Sequence, residues 1–345
     1  MSGRKLKACI IGCGKIFPMH AVSVSSLDDA VLLAVCDNKP ERAKAASERF
    51  HCGMYTDYRE MIDKEKPDVV HVCTPHYLHP EMAIYALESG CDVVSEKPIA
   101  ITLEDALREE RVAKECGRQL LISFQNRFNP GSVLIKDAIG SGKVGKVKSA
   151  RAIVTWSRSD EYYSHSDWKG TWDKEGGGVI IDQAIHTLDL MNWFLGGKIQ
   201  SVKATIDNRC HDIIKVDDVA EGLITYRNGA TASFYANNYY GYDAPVEIEL
   251  VSDLAILRLV GERATISWFD GHEEIADRDP REKFEFGDVK QYWGVGHMRE
   301  IRYFYDCILH GKQTRNSVSD VMETQRLVCA IYESGKSGKI VSLPE

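Results

Sequence analysis

A lysine followed by a proline stands at the end of a buried apolar run, and it offers an acid–base group in a fixed position. The run Cys91–Ser95 is followed directly by Glu96, Lys97 and Pro98. In open α/β sheets, ligands bind outside the carboxyl ends of the strands. We therefore predict that Lys97 lies at a strand end, where its amine can donate to a reacting oxygen and stabilise negative charge.

A second pair of chemistry-bearing residues lies in the other half of the chain. Asp182 and His186 are four positions apart in a stretch with helical spacing, so we expect them to share one helix face, with Asp189 near the same side. Histidine has a reference pKa of ~6.5, which suits proton exchange near neutrality. We interpret His186 as a general base and Asp182 as an orienting group. A solvated helix face without chemistry is the alternative.

A glycine turn near the N-terminus predicts a nucleotide site. The apolar run Leu6–Ile11 meets Gly12-Cys13-Gly14, and a helical stretch begins near Phe17. The first glycine permits a tight turn, and the second lets the backbone approach a pyrophosphate at the helix N-terminus. The third glycine of the usual pattern is absent because Phe17 stands there.

An acidic residue after the second strand indicates the cofactor. Asp37 ends the run Val31–Cys36 and follows Gly14 at close to the ~20-residue offset at which a carboxylate meets the ribose hydroxyls of a dinucleotide. A carboxylate there repels a 2′-phosphate, so NAD is favoured over NADP. Strands and helices keep alternating as far as Phe124, which predicts a parallel, doubly wound sheet.

The loop 74–79 follows a central strand of that sheet. It contains His76 and His79, which could be imagined as metal ligands, but no cysteine or acidic ligand supports them. We predict no metal and place this loop on the nicotinamide side of the cofactor.

An aromatic and charged loop is the candidate substrate surface. Residues 157–174 include Arg158, Tyr163, Trp168 and Lys169 with no core periodicity. Aromatic rings stack on the apolar faces of sugar rings, while charged groups bond hydroxyls. A subunit contact or a packing loop is the alternative. The triple glycine 176–178 follows and permits close backbone approach.

The rest of the second half has the pattern of an antiparallel sheet. Two strand-like runs flank Asn228-Gly229, which is a strong hairpin signal. Further strands follow up to Trp268, and two helices end the chain. We expect the charged stretch Glu273–Lys283 to be a solvated loop. One face of such a sheet must be covered by helices or by another subunit, so a homodimer or homotetramer is expected.

Composition sets the broad class. The chain has 345 residues, 44% hydrophobic and 27% charged, with a formal net charge of −8. This length favours two domains, and the negative charge argues against a nucleic-acid partner. No apolar run is long enough to span a membrane, and the N-terminal apolar run is too short for a signal peptide. The ten cysteines include no Cys-x-x-Cys pair, and those in strands are expected to be buried thiols, which favours the cytoplasm.

The motifs together resemble the Gfo/Idh/MocA oxidoreductases, the family of glucose–fructose oxidoreductase and inositol dehydrogenase. The resemblance covers nearly the whole chain, and Ala184 is a small departure, since a glycine is common there. The motifs that carry it are Gly12-Cys13-Gly14 with His20, Thr74-Pro75 with His79, Glu96-Lys97-Pro98, and Gly176-Gly177-Gly178 with Asp182, His186 and Asp189.

This resemblance implies an α/β Rossmann domain over residues 1–124, and an α+β domain over 125–345 with a large, mainly antiparallel sheet that binds substrate and forms oligomers. It implies NAD(P)-dependent oxidation or reduction of a ring hydroxyl of a sugar, glycoside or inositol, with acid–base roles for the lysine and the histidine. It also suggests a cis Lys97–Pro98 bond. Lys97 could join a proton relay as well as bind the oxygen, and the sequence does not rank these roles.

The predicted site therefore has three parts. The catalytic residues are Lys97, His186 and Asp182. The cofactor-binding residues are Gly12, Gly14, Lys15, Ile16, Asp37, Thr74, Pro75, His76, His79, Glu96, Lys97 and Gln125. The substrate-binding residues are Lys97, Arg127, Tyr163, Trp168, Asp182 and His186.

Two other functions are compatible with the same motifs. One is a glycoside-cleaving enzyme that retains NAD, oxidises a hydroxyl transiently and eliminates the aglycone. The other is a non-catalytic NAD-binding regulator, against which the joint presence of Lys97, Asp182 and His186 argues.

Overall fold

The chain forms two compact units, each built on its own sheet. The computed structural model describes residues 4–284 and 291–344, and the side chains of 291–293 are not described. The first unit comprises Met1–Gln125 and Arg281–Val321, and the second comprises Asn126–Pro280 and Met322–Glu345. The assignment of cofactor binding to residues 1–124 and of substrate binding to residues 125–345 stays a prediction. In the structure, the segment Arg281–Val321 belongs to the first compact unit.

The first unit contains a six-stranded sheet in the order β3-β2-β1-β4-β5-β6. Every neighbouring pair is parallel, which is the strand order of dinucleotide-binding folds and confirms the predicted doubly wound sheet. The strand β3 was not predicted, because it has only three residues. The strands are β1 (Leu6–Ile11), β2 (Ala30–Cys36), β3 (Gly53–Tyr55), β4 (Val69–Val72), β5 (Asp92–Ser95) and β6 (Leu120–Ile122).

Five helices connect these strands, and their ends follow local side-chain chemistry. The Asp57 carboxylate accepts from the backbone N–H groups of Arg59 and Glu60. The Thr102 hydroxyl accepts from the N–H of Asp105, and Gly117 ends the same helix in the left-handed conformation. The helices are α1 (Phe17–Ser25), α2 (Pro40–Phe50), α3 (Tyr58–Glu65), α4 (His79–Glu88) and α5 (Leu103–Cys116).

The second unit contains a nine-stranded sheet in the order β14-β13-β12-β11-β7-β10-β9-β8-β15. Only the pair of β7 and β10 is parallel, so the predicted mainly antiparallel sheet is confirmed. The strands are β7 (Val147–Thr155), β8 (Ile199–Asp207), β9 (Val219–Tyr226), β10 (Thr231–Asn237), β11 (Glu247–Ser252), β12 (Ala255–Val260), β13 (Arg263–Trp268), β14 (Glu273–Ala276) and β15 (Val341–Ser342).

Two stretches of this unit were interpreted from the sequence, namely the hairpin around Gly229 and the charged stretch from Glu273. The hairpin of β9 and β10 is confirmed, with Gly229 in the turn at a φ of 87°. The expectation of a solvated loop from Glu273 is wrong in part, because Glu273–Ala276 forms the edge strand β14 paired with β13. The exposure of its side chains alternates along the strand, which suits an edge strand that faces solvent on one side.

The remaining helices complete the two units. They are α6 (Pro130–Gly140), α7 (Asp160–Ser164), α8 (Ile185–Leu195), α9 (Gln291–Leu309) and α10 (Val318–Ser337). In the first unit α9 packs on the sheet beside α1, where Ile301, Phe304 and Tyr305 join a core cluster with Leu6 and Val94. Over the described residues, none of these helices is long and apolar enough to cross a membrane.

Candidate active site

The glycine turn of the first unit is shaped for a close backbone approach. Gly12 has a φ of 94°, and a Cβ there would lie 2.5 Å from the carbonyl oxygen of Cys73. A side chain at this position would therefore clash and strain the backbone. At Gly14 a Cβ would meet nothing within 4 Å, so this glycine borders open space in front of α1. A pyrophosphate can approach the backbone there.

The Asp37 carboxylate stabilises this turn from the end of β2. Its Oδ2 accepts from the N–H of Cys13 at 2.8 Å, and its Oδ1 accepts from the N–H of Lys39 at 2.9 Å. Each carboxylate oxygen has a second lone pair, so Asp37 can also accept from ribose hydroxyls. The predicted acidic residue is thus held next to the glycine turn, as dinucleotide recognition requires.

Two further predicted cofactor residues carry buried polar atoms that lack a hydrogen bond in the described part of the chain. They are Oγ1 of Thr74, after β4, and Oε1 of Gln125, after β6. A buried polar atom without a partner costs about 1–3 kcal/mol, and a bound polar molecule can remove that cost. Together with the open cradle at Gly14, these atoms fit a dinucleotide such as NAD. Of the other predicted contacts, Lys15 is exposed, Ile16 and Pro75 are half-buried, and His76 is buried.

His79 links the loop after β4 to the Lys-Pro segment. Its Nδ1 lies 2.8 Å from the carbonyl oxygen of Pro98, and its Nε2 lies 2.8 Å from that of Thr74. Burial lowers the pKa of the His79 imidazole, and the two carbonyl contacts oppose that shift. His79 is therefore a structural bridge between the two loops.

Glu96 points into the interior, while Lys97 is half-buried. The Oε1 atom of Glu96 lies 2.9 Å from Nε2 of His20 and 3.1 Å from Nε2 of His297. Burial raises the pKa of Glu96, but the hydrogen bonds from the two histidines outweigh it and hold the pKa well below the usual value. The Lys97–Pro98 peptide bond is cis, as the resemblance suggested.

Asp182 is the centre of a polar cluster in the second unit. Its Oδ2 accepts from the Tyr162 hydroxyl at 2.6 Å, from Lys169 Nζ at 2.6 Å and from Gln183 Nε2 at 2.7 Å. A charge-assisted bond is roughly twice as strong as a neutral one, so this oxygen is firmly held. Asp182 organises the loop that the sequence singled out as a substrate surface.

Lys169 and Glu175 share the electrostatics of this cluster. Lys169 Nζ also lies 3.5 Å from Oε1 of the fully buried Glu175. Burial opposes the charge of Lys169, but Asp182 and its neighbours outweigh it and raise the pKa of Lys169. Burial raises the pKa of Glu175 to about 8, against the opposing effect of Lys169. The cluster therefore holds one lysine cation between two acidic groups.

The helix that carries the predicted base differs from the sequence expectation. Asp182 lies in a π-helical turn, Val179–Ala184, and the α-helix begins only at Ile185. Asp182 and His186 therefore do not lie on one regular α-helical face, because the π-helical turn that carries Asp182 is wider than an α-helical turn. Neither Gly177 nor Gly178 has space for a Cβ. A Cβ at Gly177 would lie 2.0 Å from the Tyr332 hydroxyl, and one at Gly178 would lie 2.0 Å from the carbonyl oxygen of Asp217. His186 is half-buried.

Three other predicted substrate residues occupy defined places in the second unit. Arg127 is buried and donates from Nε and Nη2 to the Asp189 carboxylate at 2.7 and 2.6 Å. Its role toward substrate stays a prediction, because these two donors support α8 instead. Tyr163 is buried and its hydroxyl accepts from Asn238 at 2.6 Å. Trp168 is half-buried, with Nζ of Lys169 4.4 Å from its ring centroid.

Lys97 belongs to the first unit, whereas Asp182 and His186 belong to the second. The sequence did not predict the residues that form hydrogen bonds with Asp182 in the second unit and with Glu96, next to Lys97, in the first. Lys169 and Tyr162 gave a weak signal as members of the aromatic loop. His297 gave none, because it lies 201 positions from Glu96.

Comparison with known proteins gives consistent results over most of the chain. A family model described as "Oxidoreductase family, NAD-binding Rossmann fold" matches residues 6–124, and one described as "GFO/IDH/MocA C-terminal domain" matches residues 133–266. D-glucoside 3-dehydrogenase of Escherichia coli K12 is 34% identical over 370 aligned positions, which cover 99% of both chains. Inositol 2-dehydrogenase of Rhizobium meliloti is 30% identical over 69% of this chain and 71% of its own.

A solved structure supports the same relationship. The WlbA dehydrogenase of Bordetella pertussis, in complex with NADH and UDP-GlcNAcA, superposes with a TM-score of 0.86 and 27% identity, covering 99% of this chain and 100% of the other.

Proposed function

The chain belongs to the Gfo/Idh/MocA family of oxidoreductases, and we propose that it transfers a hydride between NAD and a ring hydroxyl of a sugar, glycoside or inositol. The observation that carries this proposal is the 34% identity with D-glucoside 3-dehydrogenase across 99% of both chains. When bound, NAD accepts the hydride at its nicotinamide ring. The residues of this chain supply binding, orientation and proton transfer.

The residue that follows β2, Asp37, selects between NAD and NADP. The Asp37 carboxylate binds the adenosine ribose hydroxyls and repels a 2′-phosphate, so NAD is preferred to NADP. Gly12 and Gly14 admit the pyrophosphate. Thr74 and Gln125 satisfy their buried oxygens with donors of the bound cofactor.

Proton transfer and charge stabilisation fall to two different side chains. His186 accepts the hydroxyl proton as the hydride leaves, because its reference pKa of ~6.5 suits this exchange. Lys97 donates a hydrogen bond to the same substrate oxygen and stabilises the negative charge that forms on it. Asp182, fixed by Lys169 and Tyr162, orients the substrate ring.

The test is a screen for NADH formation. Purified protein is incubated with NAD and a panel of hexoses, alkyl glucosides and inositols, and absorbance of NADH is followed. We expect turnover with at least one glycoside, hexose or inositol, and none with open-chain 2-hydroxy acids. Chromatography of the products distinguishes net oxidation from release of an aglycone. Tight NAD binding without turnover on the whole panel would contradict the proposal.

Two further properties follow from the surface and the cysteines. We infer a cytoplasmic location, since Cys9, Cys36, Cys73 and Cys91 are buried free thiols. We also infer a homo-oligomer that covers the open face of the nine-stranded sheet. The strand register puts Leu223, Tyr235 and Val260 on that face, and they are 64%, 36% and 46% exposed.

A further inference from the structure

Five side chains form a continuous hydrogen-bonded line inside the first unit. The Tyr305 hydroxyl lies 2.9 Å from Nε2 of His71, and Nδ1 of His71 lies 2.9 Å from Nδ1 of His20. Nε2 of His20 lies 2.9 Å from Oε1 of Glu96, which Nε2 of His297 approaches at 3.1 Å. The three histidines and Tyr305 are at most 1% exposed, and Glu96 is 6% exposed. We call this line the Glu96 chain.

The Glu96 chain joins segments that are distant in sequence. His20 lies on α1, His71 on β4, and Glu96 directly after β5. His297 and Tyr305 both lie on α9, two turns apart. The helix α9 therefore contacts the segment that carries Lys97 from within the same unit.

Hydrogen-bond chemistry fixes the direction of every proton in the line. An ionised carboxylate only accepts, so Nε2 of His20 and Nε2 of His297 must both donate to Glu96. The other nitrogen of a neutral His20 must then accept, so Nδ1 of His71 donates to it. Nε2 of a neutral His71 is left as an acceptor, and the Tyr305 hydroxyl donates to it.

The charge states agree with this direction. Burial lowers the pKa of His20 and lowers that of His71 well below its usual value, so both rings are neutral at pH 7. Burial raises the pKa of Tyr305, which keeps its hydroxyl proton in place. Glu96 is ionised because the hydrogen bonds from His20 and His297 outweigh its burial.

A metal ion is the competing account of the same atoms. His20, Glu96 and His297 each offer one ligand atom, and these atoms lie within 4.8 Å of one another. Ligation needs an unprotonated Nε2 on His20. The proton of His20 would then sit on Nδ1, His71 would donate from Nε2, and the Tyr305 oxygen would accept. The metal and the proton line thus require opposite tautomers of His71.

We propose that His71, His297 and Tyr305 are positioning residues for Lys97, acting through an ionised Glu96. Glu96 directly precedes Lys97, and its side chain is buried in the interior while that of Lys97 is only half-buried. Anchoring the Glu96 carboxylate inside therefore fixes the direction in which Lys97 leaves the backbone. This inference rests on the proposed hydride transfer, in which Lys97 binds the reacting oxygen.

The experiment combines nuclear magnetic resonance with pH-dependent kinetics. Protein labelled with ¹⁵N-histidine is compared with the Tyr305→Phe and His71→Asn variants, and the matched control is Tyr303→Phe on the same helix. We expect His71 to carry its proton on Nδ1 and His20 on Nε2 from pH 7 to 8. Loss of the Tyr305 donor leaves neutral His71 less stable, so the acidic limb of the kcat profile should move to higher pH.

The expected kinetic effect of Tyr305→Phe and His71→Asn is a loss of roughly tenfold in kcat. The KM for NAD and the activity of Tyr303→Phe should stay unchanged. A His71 proton on Nε2, or one equivalent of metal bound to purified protein, would overturn the proposal. So would unaltered kcat and pH profile in both variants. Should the wild type prove inactive on every substrate, the proposed function fails, and the histidine spectra still decide the proton arrangement independently.

Discussion

The Nζ atom of Lys169 lies 2.6 Å from Oδ2 of Asp182, and this ion pair is the centre of the polar cluster in the second unit. The lysine side chain is only 12% exposed and the aspartate 9%. Removal of one partner of a buried pair leaves an uncompensated charge, which costs about 3–5 kcal/mol. The pair therefore stabilises the loop 157–174 and also fixes the orientation of Asp182, a predicted catalytic residue.

The first prediction concerns this pair. Lys169→Ala should lower the free energy of unfolding by ~3–5 kcal/mol and reduce kcat/KM, because Asp182 and Glu175 lose their cation. Urea unfolding and NADH formation measure the two effects. Lys148→Ala is the control, since Lys148 forms an exposed pair with Asp253 and should change stability by less than about 1 kcal/mol. Equal effects of the two substitutions would refute the special role of Lys169.

The second prediction separates chemistry from cofactor binding. Lys97→Ala and His186→Ala should each lower kcat by roughly 10²–10⁴-fold, because proton transfer and charge stabilisation are lost in the transition state. NAD affinity, measured by calorimetry, should change little. His165→Ala provides the control, since His165 is an exposed histidine that follows α7 and has no proposed role. Normal oxidation by either active-site variant would remove that residue from the proposed mechanism.

The third prediction tests cofactor choice. Asp37→Ala removes an acceptor for Cys13, Lys39 and the ribose, so NAD binding should weaken by ~1.5–3 kcal/mol. Discrimination against NADP should fall as well, because the repelling carboxylate is gone. Dissociation constants for both cofactors measure the change, with the exposed Asp28→Ala as control. An unchanged preference for NAD would show that Asp37 does not set it.

Local signals in the sequence were sufficient to predict the main turns and the strand arrangement of the fold. The turn at Gly12 and the hairpin at Gly229 each depend on residues within a few positions, and the structure confirms both. The parallel order of the first sheet follows from the alternation of strands and helices.

The interior partners of the site could not be predicted in this way. Glu96 is bonded to His297, and His71 to Tyr305, across 201 and 234 positions. No local pattern encodes such a pairing, since it arises only when α9 packs on the first sheet. The π-helical turn at Asp182 was missed because its sequence has ordinary helical spacing.

The fourth prediction is a pH dependence of stability. Burial raises the pKa of Glu300 from 4.5 to about 7, while the nearby His297 lowers it and Glu96 raises it. The folded chain thus retains a proton that the unfolded chain has lost, so this contribution is present below pH 4.5 and is lost as pH rises through about 7. The slope reaches at most about 1.4 kcal/mol per pH unit.

The substitution Glu300→Gln tests this pH dependence. Its amide oxygen can accept from Phe124 and Asn316, and its amide nitrogen can donate to the Ser123 hydroxyl, but the side chain cannot ionise. The free energy of unfolding should then fall less steeply between pH 5 and 7 than in the wild type. Glu247→Gln, at an exposed position, should leave the curve unchanged. Parallel curves for the wild type and Glu300→Gln would mean that Glu300 is ionised throughout.

The fifth prediction concerns the open face of the nine-stranded sheet. Leu223 is 64% exposed there, and the strand register places Tyr235 on the same face. An aspartate at Leu223 would bury an unpaired charge in an apolar contact between copies, which associating surfaces avoid. We expect light scattering to give the wild type a mass that is a multiple of 38.7 kDa, and Leu223→Asp a lower multiple or the monomer mass. Ile340→Asp is the matched control, because Ile340 is 66% exposed and lies outside every strand. A monomeric wild type, or an assembly insensitive to Leu223→Asp, would mean that this face does not join subunits.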